Sequence, residues 1–207
     1  MTTMTLTSSS HGSIDIRAVC GLGNPGPEYA STRHNIGFMV AHLLAKRLGV
    51  KLLQRECLAR STGWISAHGK DLVIFTPQTY MNRSGSSVAA MIARYDLDPA
   101  NILVIHDDAD LPFGRLRFRP RGGSGGVGGL ESIIELLRTR EFPRLRLGVS
   151  NESRGREIHD FILDDFSPEE AAGLDKILDA AEGAVECVIQ NGMAAAMNTF
   201  NRAQDVL

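Results

Sequence analysis

The chain has 207 residues, a formal net charge of −2, and 43% hydrophobic and 6% aromatic residues, a length that favours one buried core over two. No apolar run approaches the roughly 20 residues of a membrane helix, which excludes a spanning helix. Cys20, Cys57 and Cys187 stand far apart without a CxxC pair, so reduced thiols, a cytoplasmic setting and no zinc cluster are expected.

The small net charge hides an asymmetry. Residues 115–156 carry ten arginines against four acids, whereas residues 157–207 carry eleven acids against two basic residues. A basic block in an otherwise acidic chain points to a polyanion-binding surface. The competing reading is that the arginines pair with the acidic C-terminal segment.

The opening "MTTMTLTSSSHGS" has neither the apolar core of a secretory signal nor the arginine-rich amphipathic pattern of a transit peptide. Residues 1–14 are therefore read as a disordered leader and 15–207 as a single α/β domain. The run "IDIRAVCGL" reads as a strand. In "NIGFMVAHLLAKRLG" the residues Ile36, Met39, Val40, Leu43 and Leu44 share a helical face, with Asn35 a candidate N-cap and Gly49 a stop. Strands follow at "GWISAH" and "DLVIFTP", a helix at "GSSVAAMIARY", then strands at "NILVIHD" and "RLRFRP". "LESIIELLRT" is helical and "RLRLGVS" extended. In "SPEE", Ser167 caps, Pro168 suits the first helical position and Glu170 completes a capping box. A long C-terminal helix follows, interrupted by glycine near Gly192.

This alternation predicts an α/β layered fold in one domain, with a mixed, mostly parallel sheet flanked by helices. Some antiparallel pairing is expected because "RLRFRP" lies so close to "NILVIHD" in sequence. Polar residues at the C-terminal ends of strands line the crevice in such folds. That rule selects Asn24, the stretch from Tyr80 through Met81 to Asn82, and the stretch from His106 to Asp110.

Two segments fit G-x-G-x-x-G, "GLGNPG" and "GSGGVG". The first lacks an acid about 20 residues on, and Pro25 removes a phosphate-facing N–H; neither precedes the Lys-Ser/Thr of a P-loop. Nucleotide cofactor binding is thus disfavoured. The acids of "HDDAD" could hold magnesium, but no second acidic cluster completes a shell. His34 stands just before a helix, and an aspartate such as Asp107 could hold one of its ring nitrogens and leave the other as a base. Asn24 and Asn82 each offer an uncharged donor and acceptor to a peptide or ester carbonyl, or simply accommodate turns. Arg115, Arg117, Arg119 and Arg121 recur with period two, so an extended strand would place them on one face. With Arg144 and Arg146 they read as a nucleic-acid or polyphosphate track.

The segments "GLGNPGPEYASTRHNIGF", "TPQTYMNRSG", "LVIHDDADLPFGRLRF" and "FPRLRLGV" followed by "DFIL", in this order, resemble the bacterial peptidyl-tRNA hydrolase family from about Ile16 to about Asn201. The resemblance implies hydrolysis of the ester between peptide and tRNA on a mixed α/β sheet, without metal or cofactor. It implies His34 as general base oriented by Asp107, with Asp108 and Asp110 structural. Asn24 and Asn82 would bind the peptidyl part and Asn24 would read its amide carbonyl; Tyr29, Tyr80 and Met81 would complete the substrate site. Arg117, Arg119 and Arg146 would face tRNA phosphates. The expected partner is peptidyl-tRNA, the expected working unit a monomer, and no membrane is involved.

One loop departs from the pattern. Where the family usually has "GGHNGL", this chain has "GGVGGL", with Val127 and Gly128 replacing histidine and asparagine. Losing one such hydrogen bond costs about 1–3 kcal/mol, or roughly one to two powers of ten in rate. Activity reduced or rerouted through backbone amides is expected; the alternative is a non-catalytic RNA-binding relative. The glycines of residues 122–130 predict a flexible gate at the rim of the crevice.

Overall fold

The computed structural model describes residues 14–151 and 158–202; residues 1–13, where the leader is expected, lie outside them. In chain order the protein forms β1 (Ala18–Gly21), α1 (Ile36–Arg47), β2 (Gln54–Glu56), β3 (Ala59–Ser61), β4 (Ile65–Ala67), β5 (Lys70–Pro77) and α2 (Ser84–Tyr95). Then follow β6 (Ile102–Pro112), β7 (Leu116–Arg119), α3 (Gly128–Leu137), β8 (Arg144–Ser150), α4 (Ile158–Leu163), α5 (Pro168–Asn191) and α6 (Met193–Phe200).

The sheet runs β2-β3-β5-β1-β6-β8-β7, with β4 paired to the start of β5. Its four central strands, β5, β1, β6 and β8, are parallel; the flanking pairs are antiparallel. Apolar residues occupy both faces of the central strands, because helices cover both. Val19, Leu103 and Ile105 pack on one side with Val40 and Leu44 of α1 and Val185 of α5. Ala18, Cys20 and Val104 pack on the other with Val88 and Met91 of α2 and Ile133 of α3. All three cysteines are free. No helix among the described residues is long and apolar enough to cross a membrane.

The differences from the sequence reading have local causes. The strand from "RLRFRP" pairs antiparallel with β8 rather than with its sequence neighbour β6. β6 runs on through its acids to Pro112 and already holds β1 and β8 on its two edges. β2 and β3 form from polar, short segments that carry no hydrophobic alternation. The capping box at Ser167 and Glu170 is present, and the C-terminal helix breaks at Gly192, where φ is +84°. At the outer edge of the sheet, Asn201 accepts from the Phe118 N–H at 2.7 Å and donates to its carbonyl at 3.0 Å.

The start of α1 lies against the sheet with no room for a side chain. A Cβ on Gly37 would sit 2.5 Å from the carbonyl oxygens of Leu22 and Ile105. Both obstacles are backbone, so relief requires moving α1 as a body. Gly37→Ala should therefore lose about 1–3 kcal/mol of stability, read as a fall in the denaturant midpoint; an unchanged midpoint would show that α1 can shift freely.

Candidate active site

His34 sits in a 3-10 turn, Arg33–Asn35, that leads into α1. Such turns are common at helix starts. The turn is held from outside by an isolated bridge between Thr32 and Asp165. Asn35 does not cap α1 with its side chain. Instead its Oδ1 accepts the Asn24 N–H at 2.7 Å and its Nδ2 donates to the Asn24 carbonyl at 2.9 Å. This reciprocal pair ties the turn after β1 to the turn bearing His34.

His34 Nδ1 lies 2.9 Å from Asp107 Oδ1, with both side chains buried. A carboxylate can only accept, so Nδ1 carries the proton and Nε2 is left with its lone pair. Asn24 Oδ1 accepts the Met81 N–H at 2.8 Å. That donor fixes the orientation of the amide and directs its remaining function, the Nδ2 donor, elsewhere.

The acids of "HDDAD" separate by strand alternation and by partner. Asp108 accepts the Asp110 N–H at 2.9 Å through Oδ1, and its Oδ2 accepts from Arg146 Nε. His106 Nδ1 donates to the Asp107 carbonyl at 2.7 Å. Burial lowers the proton affinity of His106, so this ring is neutral near pH 7. Among the described residues no group of three or more His, Cys, Asp or Glu side chains is placed to hold a metal ion.

A cleft of about 880 Å³ opens over these groups, lined by Asn24, Tyr29, His34, Tyr80, Met81, Asn82, Asp107, Val127 and Gly128. α4 also lines it, through Ile158, His159, Ile162 and Leu163. Asn82 is exposed where Met81 is buried. Gly128 is the first residue of α3, and Val127 before it supplies no side-chain cap. A Cβ on Gly128 would meet only Asn82, with its Cβ at 3.8 Å, an ordinary contact.

The arginines divide. Arg117 stands opposite Arg146 in the β7–β8 register and Arg119 opposite Arg144. Crowding by Arg119, then burial and Arg146, lowers the proton affinity of Arg117. Among the described residues neither Arg117 nor Arg119 has a carboxylate within ion-pair distance, whereas Arg146 is already paired with Asp108. Arg144 departs from the expected track: it is buried, its Nη1 donates to the Gly123 carbonyl at 2.7 Å, and it lies over the Phe142 ring. Burial, with Arg146 nearby, pushes its pKa down to about 10. Arg144 thus holds the base of the glycine loop instead of facing solvent. Arg115 and Arg121 flank β7 and engage the Asn201 carbonyl and Glu141, so the period-two ladder reduces to Arg117 and Arg119.

A family model described as peptidyl-tRNA hydrolase matches residues 18–206. The chain belongs to the peptidyl-tRNA hydrolase family. A relative named peptidyl-tRNA hydrolase from Synechococcus sp. (strain JA-3-3Ab) is 48% identical over 188 residues, 91% of this chain and 84% of that protein. The one from Mycobacterium tuberculosis is 43% identical over 180 residues, 87% and 94% of the two chains. The crystal structure of peptidyl-tRNA hydrolase from Acinetobacter baumannii superposes with a TM-score of 0.86 at 34% identity, covering 95% of this chain and all of that one.

The structure thus brings His34, Asp107, Asn24, Tyr29, Tyr80, Met81, Asn82 and Gly128 to one cleft and sets Arg117, Arg119 and Arg146 on the adjoining sheet edge. Sequence reasoning missed Asn35 as the brace of Asn24 and the apolar α4 wall. The only signal for the wall was the short "DFIL" match, which carries no chemistry. Asn35→Asp would set a carboxylate oxygen against the Asn24 carbonyl in a buried place. It should cost about 1–3 kcal/mol, measured by thermal unfolding, while Asn35→Asp with wild-type stability would remove the brace from the account.

Proposed function

We propose that this chain hydrolyses the ester joining a peptide to tRNA, with His34 as general base and Asp107 as the carboxylate that orients it. The observation that carries this reading is the buried 2.9 Å contact between Nδ1 and Asp107, on a cleft shared with Asn24 and Asn82. Family membership independently supports the reaction class.

In this reading Nε2 takes a proton from water as the water attacks the ester carbonyl. The imidazolium then returns that proton to the departing ribose oxygen. Asp107 stabilises the transient positive charge without moving a proton. Asn24 Nδ2 donates to the carbonyl of the peptide bond next to the ester; free aminoacyl-tRNA has no such carbonyl. Since Asn24 Oδ1 is occupied by the Met81 N–H, the recognition uses a donor only. Tyr29 and Tyr80 flank the tRNA end. Arg117 and Arg119, unpaired among the described residues, face the phosphates. Arg146 joins them with its charge already shared with Asp108. No step requires a metal or cofactor, because one base and a set of hydrogen-bond donors supply the proton and charge chemistry of ester cleavage.

A second reading, an RNA-binding relative without activity, is favoured by one observation: at Gly128 the start of α3 offers only backbone N–H groups. Release of N-acetylamino acids from N-acetylaminoacyl-tRNA separates the two. Wild type should turn over, His34→Ala should fall to background, and Asp107→Asn should lose about 10²–10⁴-fold in kcat, because an amide can donate to Nδ1 and trap the wrong tautomer. Release by His34→Ala at the wild-type rate would sink the base assignment, and no release by wild type would leave the binding reading. Gly128→Asn should raise kcat/KM by about tenfold, within the value of one hydrogen bond; an unchanged rate would mean that the backbone N–H groups already suffice.

A further inference from the structure

Arg33, the residue before His34, is 4% exposed and reaches away from the cleft. Its Nη1 donates to the carbonyls of Phe161, Asp164 and Asp165 at 3.3, 3.2 and 2.8 Å. Its Nη2 donates to Glu170 Oε2 at 2.6 Å, and its guanidinium carbon stands 4.4 Å from the centroid of the Phe161 ring and 5.6 Å from that of Phe166. The three carbonyls belong to the C-terminal end of α4 and the residues just after it, where a helix of six residues leaves its last carbonyls without helical partners. Glu170 is shared further: its Oε2 accepts the Ser167 N–H at 2.8 Å and its Oε1 accepts Asn151 Nδ2 at 2.6 Å. One buried side chain therefore connects the turn carrying His34, the end of α4, the start of α5 and the end of β8.

This matters for the cleft because α4 is its apolar wall. Ile158, Ile162 and Leu163 face the same space as His34, while Phe161 is the one fully buried residue of α4 and only the partly buried Ile162 joins it against the core. Two apolar contacts on a helix of six residues leave much of its distance and tilt to the polar bonds at its end, which include the Arg33 N–H to the Asp164 carbonyl at 3.1 Å and the Thr32–Asp165 bridge. Arg33 supplies what burial does not: a rigid planar fork that can satisfy carbonyls and a carboxylate together, stacked on an aromatic ring.

We infer that Arg33 is a positioning residue that holds α4 as the wall against which the peptidyl part of the substrate packs, so that substrate binding depends on it more than the chemical step. The bonds placing His34 itself, to Asp107 and through Asn35 to Asn24, do not pass through the guanidinium. The inference rests on the peptidyl-tRNA reading of the cleft only for its kinetic half.

Arg33→Lys tests it. The ammonium retains a charge opposite Glu170 but cannot span three carbonyls and a carboxylate at once. With N-acetylaminoacyl-tRNA, KM should rise about tenfold while kcat stays within about twofold of wild type. In hydrogen exchange, the amides of α4 should lose at least tenfold protection while those of β1, β6 and α1 keep theirs. Glu170→Gln keeps the size and an oxygen for the Ser167 N–H but removes the charge and turns an amide NH2 toward Asn151, and should move both readings the same way by about threefold. Unchanged KM with unchanged α4 exchange in Arg33→Lys overturns the proposal, as does a loss confined to kcat. Should the lysine variant fail to fold, wild-type values in Glu170→Gln overturn it instead. The exchange measurement needs no substrate, so loosened α4 in a protein that never releases peptide would retain the anchor and discard the hydrolase reading.

Discussion

The arrangement depends on a close approach between backbones. The first turn of α1 meets the end of β1 and the middle of β6 where Gly21 and Gly37 carry no Cβ, and the space between them is smaller than a methyl group. Because α1 lies this near the sheet, the turn preceding it places His34 beside a carboxylate that projects from β6. Two side chains far apart in sequence thus meet through a contact that neither of them makes. The Asn24–Asn35 pair repeats the arrangement one turn along, joining the loop after β1 to the same helix start. Rigid backbone elements fix the groups more tightly than flexible loops could.

Charge is distributed with the same economy of contacts. Acids of α5 are consumed internally: Asp179 and Glu182 pair with Arg47, and Glu170 with Arg33. Burial of its own carboxylate raises the pKa of Glu182, while Arg117 and Arg119 of β7 are left without acidic partners among the described residues. Among the described residues, the two halves of the charge asymmetry therefore do not cancel one another. The acidic helix serves the fold, and the basic edge remains available to an anion.

Much of this was legible in the sequence. The apolar runs gave the central strands, since only a strand covered on both faces carries such uninterrupted hydrophobic residues, and the Ser-Pro-Glu-Glu signature marked the start of α5. Asn24 and Asp107 were singled out by strand-end position, His34 by its place just before a helix, and all three by resemblance; the fold brings them to one cleft. What escaped had no local pattern. β2 and β3 are stabilised by pairing rather than by side-chain alternation, and the partner of β7 was decided by which edge of the sheet was free. Asn35 read as a helix cap because its sequence context is that of a cap, but a tertiary partner took its amide. Arg144 read as part of a surface track because its spacing matched, yet the Gly123 carbonyl and the Phe142 ring draw it inward.

The amide of Asn201 on the outer strand bears on how molecules of this protein meet one another. An edge strand with free N–H and C=O groups is a template on which a second chain can add. Here Phe118 of β7 has both of its backbone groups taken by a side chain that imitates a neighbouring strand for the length of a single residue. Continuation of the sheet into a second molecule is blocked at that point, and like charge on Arg117 and Arg119 discourages it further. The outer strand therefore carries Arg117 and Arg119 while one of its residues is already paired in strand fashion.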